Sequence, residues 1–185
     1  LVAGLTLILT AEPFSFSANW LNFGPFHLEL GLLFNPLSAL MLFVVLFVGF
    51  FIHVFSLGYM SDDPHRGRFF AGMALFMFSM IGLTLADNLL LLFVFWEMVG
   101  LSSYLLISFY FDRPAAVAAG NKAFIVNRVG DFGFLLGILW AWWAYGTLNL
   151  SEMTHLADGG LVQTGIGLLV FCGAVGKSGQ IPFSK

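Results

Sequence analysis

Charged residues are scarce in this sequence. Asp, Glu, Lys and Arg make up 9% of its 185 residues, whereas a soluble domain carries about 25%. The net charge of -3 includes no basic excess that would favour nucleic acid. The one cysteine, Cys172, lies in an apolar run, which excludes a disulfide framework within the chain and a zinc site built on cysteines. Because 59% of the residues are hydrophobic, the composition is that of a membrane protein.

Apolar stretches of about 20 residues, the length that a membrane-spanning helix needs, recur along the chain. We therefore predict an all-α fold, a polytopic transmembrane helix bundle that forms a single membrane domain over residues 1–185. The mixed stretch 12–31 contains alternating residues, which predict a short hairpin outside the membrane. The sequence opens inside an apolar run, so we expect it to be a fragment. The predicted full spans are 33–58, 69–86, 89–111, 121–145 and 161–177, with a partial span at 1–11.

The basic residues near the loops predict the orientation of the chain. Arg66, Arg68, Arg113 and Lys122 lie in or beside two loops, 60–68 and 112–121, whereas the loops predicted on the opposite face contain no Lys or Arg. Lys and Arg are enriched in cytoplasmic loops. We therefore expect both basic loops on the cytoplasmic side or its equivalent.

Two charged residues lie near the middle of predicted spans, where a charge costs about 2.5–3.5 kcal/mol on insertion scales. Glu97 is nine residues into its span, and Lys177 is sixteen residues after Leu161. Glycines and Pro182 around Lys177 predict a discontinuous helix of the kind that forms polar pockets in transporters. Burial favours the neutral form of either side chain and an opposite charge favours the ionised form, so both can carry protons. The alternatives are a neutral, hydrogen-bonded Glu97 that fixes helix packing and a Lys177 that reaches the interface.

Three further residues are candidates for a proton path. Arg128 and Asp131 are three residues apart, so they share a helix face and can pair, either as a structural ion pair or as part of the transfer route. Lys122 is expected at the cytoplasmic end, as an uptake residue or as an ordinary anchor. His53, near a span end, can titrate near neutral pH but is also typical of an interfacial group. The remaining histidines, His27, His65 and His155, form no metal-ligand spacing with Cys172, and no metal is expected.

Six short motifs of this sequence point to one family. They are residues 34–41 (FNPLSALM), 56–60 (SLGYM), 86–90 (ADNLL), 96–107 (WEMVGLSSYLLI), 122–131 (KAFIVNRVGD) and 176–182 (GKSGQIP). From about residue 20 to the end, the sequence resembles the proton-channel subunits of respiratory complex I (subunit L, or mitochondrial subunit 5), which are related to subunits of multisubunit sodium/proton antiporters. This chain departs from the pattern at Asn35, where an acid is expected, and at Met98, where a small residue is common.

The resemblance implies a role in a redox-driven pump. Glu97 would match the family's central glutamate and Lys177 its lysine on a discontinuous helix. The making and breaking of this charge pair would then move protons. The chain would be a subunit of an H⁺-translocating NADH:quinone oxidoreductase, with NADH, FMN, iron–sulfur clusters and quinone held by other subunits. This chain has no glycine fingerprint for a dinucleotide and no cysteine ligand set.

Two other functions remain open from the sequence. One is a subunit of a sodium/proton antiporter, which needs no electron donor, and the other is a purely structural membrane scaffold. The expected partners are protons, the lipid bilayer and other membrane subunits. The expected location is a bacterial plasma (inner) membrane or, alternatively, the mitochondrial inner membrane.

Overall fold

The computed structural model describes residues 13–23, 26–156 and 159–181, which contain a two-stranded hairpin and six helices. Four of these helices are long and apolar enough to cross a membrane, so the predicted polytopic helical bundle is confirmed. The predicted partial span at 1–11 lies outside the described residues. The strands are β1 (Phe14–Phe23) and β2 (Phe26–Phe34), and the helices are α1 (Pro36–Tyr59), α2 (Arg66–Leu85), α3 (Leu89–Ile107), α4 (Pro114–Tyr145), α5 (Leu150–Leu156) and α6 (Leu161–Lys177).

The hairpin is longer than the sequence suggested. β1 and β2 pair antiparallel from Phe14 opposite Phe34 to Phe23 opposite Phe26, with an irregularity between Asn19 and Leu21. Aromatic residues such as Phe14 favour strands, but β1 lacks the strict apolar–polar alternation that makes a strand recognisable. The pairing therefore depends on contacts along the whole hairpin rather than on a local sequence signal.

Helix α1 begins with a reciprocal capping box. The Asn35 side chain accepts a hydrogen bond from the Ser38 N–H at 2.8 Å, and the Ser38 hydroxyl accepts one from the Asn35 N–H at 2.8 Å. Pro36 occupies the first turn, where its missing N–H costs nothing. Asn and Asp are about equally good at this position. The asparagine found where the family resemblance suggested an acid therefore caps α1 about as well as an aspartate would.

The described chain divides into two compact units at residues 96 and 97, inside α3. In the first unit the helices approach closely at two glycines. A Cβ atom on Gly49 of α1 would lie 2.4 Å from the Met77 sulfur of α2, and a Cβ on Gly82 of α2 would lie 2.3 Å from the Phe95 ring of α3. A larger residue at either glycine would require the facing side chain, Met77 or Phe95, to move.

In the second unit, α4 and α6 pack backbone to backbone along a row of glycines on α4. A Cβ on Gly130 would lie 2.9 Å from the Cys172 carbonyl oxygen and 3.0 Å from the Gly176 Cα. Further along α4, a Cβ on Gly133 would lie 2.7 Å from the Cys172 Cβ. Small residues let transmembrane helices approach closely, where van der Waals packing and backbone contacts stabilise them.

Helix α4 is longer than the span predicted for it. It begins at Pro114, seven residues before the predicted start at 121, and has 32 residues. At 1.5 Å per residue this is about 48 Å, against a hydrocarbon core of about 30 Å. The extra turns are rich in alanine, which forms helices well but adds little hydropathy. Helix α6 has the bounds of the predicted fifth span, although its 17 residues are at the lower limit for crossing.

Candidate functional site

Four charged residues meet in the second unit, on three helices. Glu97 lies on α3, Arg128 and Asp131 on α4, and Lys177 at the last residue of α6. The sequence singled out all four because each interrupts an apolar helix. The structure brings them together through the packing of α4 against α6 and through an ion pair between α3 and α4.

Glu97 forms an ion pair with Arg128. The Glu97 side chain is 20% exposed and that of Arg128 is 43% exposed. The guanidinium also stacks over the Phe124 ring, with its central carbon 4.6 Å from the ring centroid, and this cation–π contact helps to orient it. The sequence had suggested that Arg128 pairs with Asp131 along α4. In the structure the long arginine side chain pairs with Glu97 of α3, and a pair between Arg128 and Asp131 stays a prediction.

Asp131 and Lys177 form the other half of the cluster. Asp131 is 3% exposed, and it is the first of two charged groups that act on the Lys177 ammonium, the second being Arg128. The ammonium also borders α3, since a Cβ on Gly100 would lie 3.5 Å from the Lys177 Nζ. Gly100 is three residues after Glu97 and so lies on the same face of α3.

The glycine contact between α4 and α6 sets the position of Lys177. Gly130 immediately precedes Asp131, and Gly176 immediately precedes Lys177, so the closest backbone approach of the two helices lies beside the two charges. The sequence marked Gly176 only as one of the glycines around Lys177 and gave no role to Gly130. The available signal was the spacing of Gly130, Gly133 and Gly137 on one face of a helix, where glycine is otherwise unfavourable.

Helix α6 ends at Lys177 in a turn through Ser178 and Gly179. Gly179 has φ of 59°, a left-handed conformation that glycine adopts readily, and the Gln180 N–H donates to the Val175 carbonyl at 3.2 Å. A lysine in the last turn of a helix is favoured by the partial negative charge of the helix carboxyl end. Continuation beyond Pro182, which a discontinuous helix would require, falls outside the described residues.

The other candidate residues stay apart from the cluster. Lys122 is exposed on α4, six residues before Arg128, a rise of about 9 Å. In the first unit, the His53 Nδ1 lies 2.8 Å from the Gly49 carbonyl oxygen of its own helix. A histidine whose polar contact lies within its own helix is what we expect of an ordinary interfacial group. Within residues 13–23, 26–156 and 159–181, no three His, Cys, Asp or Glu side chains are arranged to hold a metal ion.

The cluster contains two acidic and two basic groups, so its formal charge is zero when all four are ionised. A proton that binds to Glu97 removes the negative charge that holds Arg128. Because a helix face presents Arg128 and Asp131 to each other, the released guanidinium can approach Asp131 and weaken its interaction with Lys177. The arrangement can therefore convert a proton gained at one acid into a change of charge at the lysine.

Two family profiles match this chain. The family profile described as NADH:quinone oxidoreductase/Mrp antiporter, transmembrane, matches residues 86–185, which include all four charged residues. The profile described as NADH-ubiquinone oxidoreductase (complex I), chain 5 N-terminus, matches residues 20–70. Together they cover the hairpin from residue 20 onward, α1 and the whole second unit.

Named relatives are similar over most of this chain. NAD(P)H-quinone oxidoreductase chain 5 of Synechocystis sp. is 45% identical over 172 residues, covering 88% of this chain and 25% of that protein. The chloroplastic NAD(P)H-quinone oxidoreductase subunit 5 of Poa pratensis is 43% identical, covering 89% of this chain and 23% of that protein. The chain thus spans about a quarter of the length of these relatives.

Solved structures share the fold. The Mrp complex from Dietzia sp. contains a chain that superposes with a TM-score of 0.78 at 28% identity, covering 97% of this chain and 20% of that chain. A chain of the membrane-bound sulfane sulfur reductase, an archaeal respiratory complex, superposes with a TM-score of 0.63 at 22% identity, covering 96% of this chain and 27% of that chain.

Proposed function

We propose that this chain is part of a proton-translocating membrane subunit of complex I. The proposal starts from the family, since the chain belongs to the NADH:quinone oxidoreductase/Mrp antiporter transmembrane family. In this role the subunit couples NADH oxidation and quinone reduction, carried out by other subunits, to proton movement through its own helices. The relatives named NAD(P)H-quinone oxidoreductase chain 5 support this assignment at up to 45% identity.

The observation that carries the proposal is an electrically neutral cluster of two acidic and two basic side chains on three apolar helices. Glu97 forms an ion pair with Arg128, and the Lys177 ammonium interacts electrostatically with the Asp131 carboxylate. Since an isolated charge inside a membrane is costly, such residues are typically paired and functional. Paired charges that can exchange partners provide a proton path without a bound cofactor.

The proposed cycle starts with a proton that reaches Glu97. Neutralising Glu97 frees Arg128, which turns to Asp131 on its own helix. Lys177 then loses the carboxylate that favours its charged form, and its apolar surroundings favour release of its proton. Glu97 is restored when it passes its proton to the neutral Lys177 amine, which borders α3 at Gly100, one helical turn away, and Arg128 then pairs with the Glu97 carboxylate again.

We assign Lys122 to the cytoplasmic approach to this cluster. It is exposed and lies between the cluster and the basic loop that ends at Arg113. A positive side chain there orients the chain in the membrane and is not needed for the partner exchange. Lys122 is therefore the matched control for Lys177, because both are lysines in the second unit and the cluster includes only one of them.

The proposed location is a bacterial plasma membrane, with the mitochondrial inner membrane as the alternative. The proposed partners are the other membrane subunits of the complex and the surrounding lipid. The bacterial relative supports the first location. Four apolar helices of 19–32 residues support residence in a bilayer.

The test uses inverted membrane vesicles that carry the full-length protein in its complex, as wild type, Lys177→Ala or Lys122→Ala. We expect NADH to acidify the vesicle lumen in wild type and Lys122→Ala, and the ratio of protons moved to NADH oxidised to fall in Lys177→Ala. An unchanged ratio in Lys177→Ala would overturn the assignment of Lys177 to the proton route.

A second candidate function is a subunit of a sodium/proton antiporter. The observation in its favour is the superposition on a chain of the Mrp complex over 97% of this sequence. The same vesicles distinguish the two functions when an imposed sodium gradient replaces NADH. Proton exchange driven by sodium, together with no response to NADH, would favour the antiporter.

A further inference from the structure

Within the first unit, the turn between α2 and α3 holds the β-hairpin. The Asp87 N–H donates to the Gly31 carbonyl at 3.3 Å, and an isolated antiparallel bridge joins Leu32 to Ala86. The Asn88 side-chain amide donates to the Glu29 carbonyl at 3.0 Å. The hairpin is thus held by one backbone and one side-chain hydrogen bond from two consecutive residues of the turn, next to the bridge at Ala86.

Asn88 also links this contact to α3 and to the neighbouring carboxylate. Its side-chain amide donates to Asp87 Oδ1 at 2.7 Å, and its side-chain oxygen accepts from the Leu91 N–H at 2.8 Å. The second bond is an N-terminal cap of α3. The residue that holds β2 is therefore the same residue that starts the following helix.

The Asp87 carboxylate lies directly against the hairpin backbone. A Cβ on Gly31 would fall 1.5 Å from Asp87 Oδ2, so a larger residue at position 31 cannot occupy this arrangement. Asp87 is 5% exposed. Since Gly31 covers the carboxylate, departure of the hairpin would expose it to water.

The charges around Asp87 do not neutralise it. Burial raises the pKa of Asp87 above its usual value, the hydrogen bond from Asn88 lowers it, and the nearby Glu29 raises it. β1 has no charged residue, and β2 adds only Glu29 and His27, whose side chain lies outside the described residues. No Lys or Arg occurs before Arg66, which is nineteen residues from the end of α2 at about 28 Å. The next charge along α3 is Glu97.

We propose that Asp87 is a protonation-controlled latch, whose neutral carboxyl holds the hairpin on the α2–α3 turn and whose ionisation releases it. Protonation removes the repulsion between Asp87 and Glu29 and the cost of a charge covered by Gly31. Ionisation restores both, and water can then solvate the carboxylate only when the hairpin moves away.

The direction of the pH dependence follows from linkage. The raised pKa belongs to the docked state, whereas an undocked, hydrated carboxyl has a pKa of about 3.9. The contribution of Asp87 to docking is therefore complete below about pH 3.9 and is lost as the pH rises through the raised pKa. Acidification closes the latch, and alkalinisation opens it.

The latch lies on the face without Lys or Arg, which the positive-inside rule assigns to the outer side. One consequence rests on the proposed function: pumping delivers protons to this side, so the latch would close as pumped protons accumulate. The latch itself does not depend on pumping and is testable without it.

The test is hydrogen–deuterium exchange of residues 26–34 in the full-length protein in lipid nanodiscs, from about pH 4 to pH 8, corrected for intrinsic exchange. An isolated two-stranded hairpin is only marginally stable, so undocking should increase exchange across β2. We expect protection to fall by up to about tenfold per pH unit between the two pKa values of Asp87.

Three variants separate the latch from a purely structural contact. Asp87→Asn stays neutral, so β2 should remain protected at every pH. Glu29→Gln removes one cause of the raised pKa and should move the transition to lower pH, without disturbing the backbone carbonyl that Asn88 uses. Gly31→Ala should reduce protection at all pH values. Asp63→Asn, in the loop between α1 and α2, is the matched control and should behave as wild type.

Two results would overturn the proposal: β2 protection in wild type that does not change with pH, or a pH profile that Asp87→Asn and Glu29→Gln both leave unchanged. A failure of NADH-driven pumping in vesicles would contradict the proposed function but would leave this exchange profile as expected.

Discussion

At the scale of single residues, the pairing of Glu97 with Arg128 is the feature with the clearest energetic consequence. The two side chains form an ion pair between α3 and α4. The charge of each one offsets the free-energy cost of placing the other's charge between apolar helices. Removal of one partner leaves an uncompensated charge, whereas removal of both leaves none. The two residues should therefore be coupled in stability.

We expect Glu97→Gln and Arg128→Gln each to destabilise the protein, and the double variant to lose less than the sum of the two. For residues in direct contact the coupling free energy is about 0.5–3 kcal/mol. Denaturant unfolding of the full-length protein in micelles measures it. Glu97→Gln combined with Lys122→Gln serves as the control pair and should be additive. Additive losses in the Glu97 and Arg128 pair would contradict the ion pair.

The sequence was sufficient to find the charged residues but not their partners. A charge in an apolar run is visible in one dimension, and this identified Glu97, Arg128, Asp131 and Lys177. The choice of Arg128 between Glu97 and Asp131 depends on where α3 lies relative to α4, which no local pattern encodes. The sequence did not single out Asp87, because its burial arises from Gly31, more than fifty residues earlier.

At the scale of helices, the contact of α4 with α6 depends on glycine at the points of closest approach. A Cβ on Gly130 would collide with backbone atoms of α6 rather than with a flexible side chain. The helices must then separate, and the residue after Gly130 is Asp131, which acts on Lys177. Packing and charge are therefore linked at this position.

We expect Gly130→Ala to lower both the thermal stability of the full-length protein and its NADH-driven proton transport, the latter several-fold. The matched control is Gly167→Ala on α6, where an added Cβ meets no atom within 4 Å. Alanine favours helix over glycine by about 1 kcal/mol, so the control should keep or gain stability. Thermal melts and vesicle acidification measure both effects. A Gly130→Ala protein as stable and active as the control would show that the close approach is dispensable.

Helix bounds were easier to predict than helix contacts. The lengths of the apolar stretches predicted the helices α1 to α4 and the bounds of α6, because a helix that crosses a bilayer needs a minimum run of apolar residues. The early start of α4 at Pro114 was not visible, since alanines promote a helix without marking a span. The long hairpin was underestimated because its pairing is not local.

At the scale of the whole molecule, the distribution of Lys and Arg sets an expectation for sidedness. Cysteines introduced at the exposed residues Asp62 and Asp112 should react with a membrane-impermeant thiol reagent from the cytoplasmic side. A cysteine at the exposed Ser151 on α5 should react from the opposite side. Right-side-out and inverted vesicles of a cysteine-free full-length background separate the two. Labelling of positions 62 and 112 from opposite sides would contradict the orientation.

The ion pair between α3 and α4 also affects how the chain is made. Helix α4 carries three charged residues and is the least hydrophobic of the four long helices, with a mean hydropathy of 1.4 against 2.0 for α3. An arginine at the centre of a lone inserting helix costs about 2.5–3.5 kcal/mol. Because α3 is synthesised first, its carboxylate is already in the bilayer when Arg128 leaves the ribosome. Chain order thus gives the less hydrophobic helix a counter-charge during biogenesis.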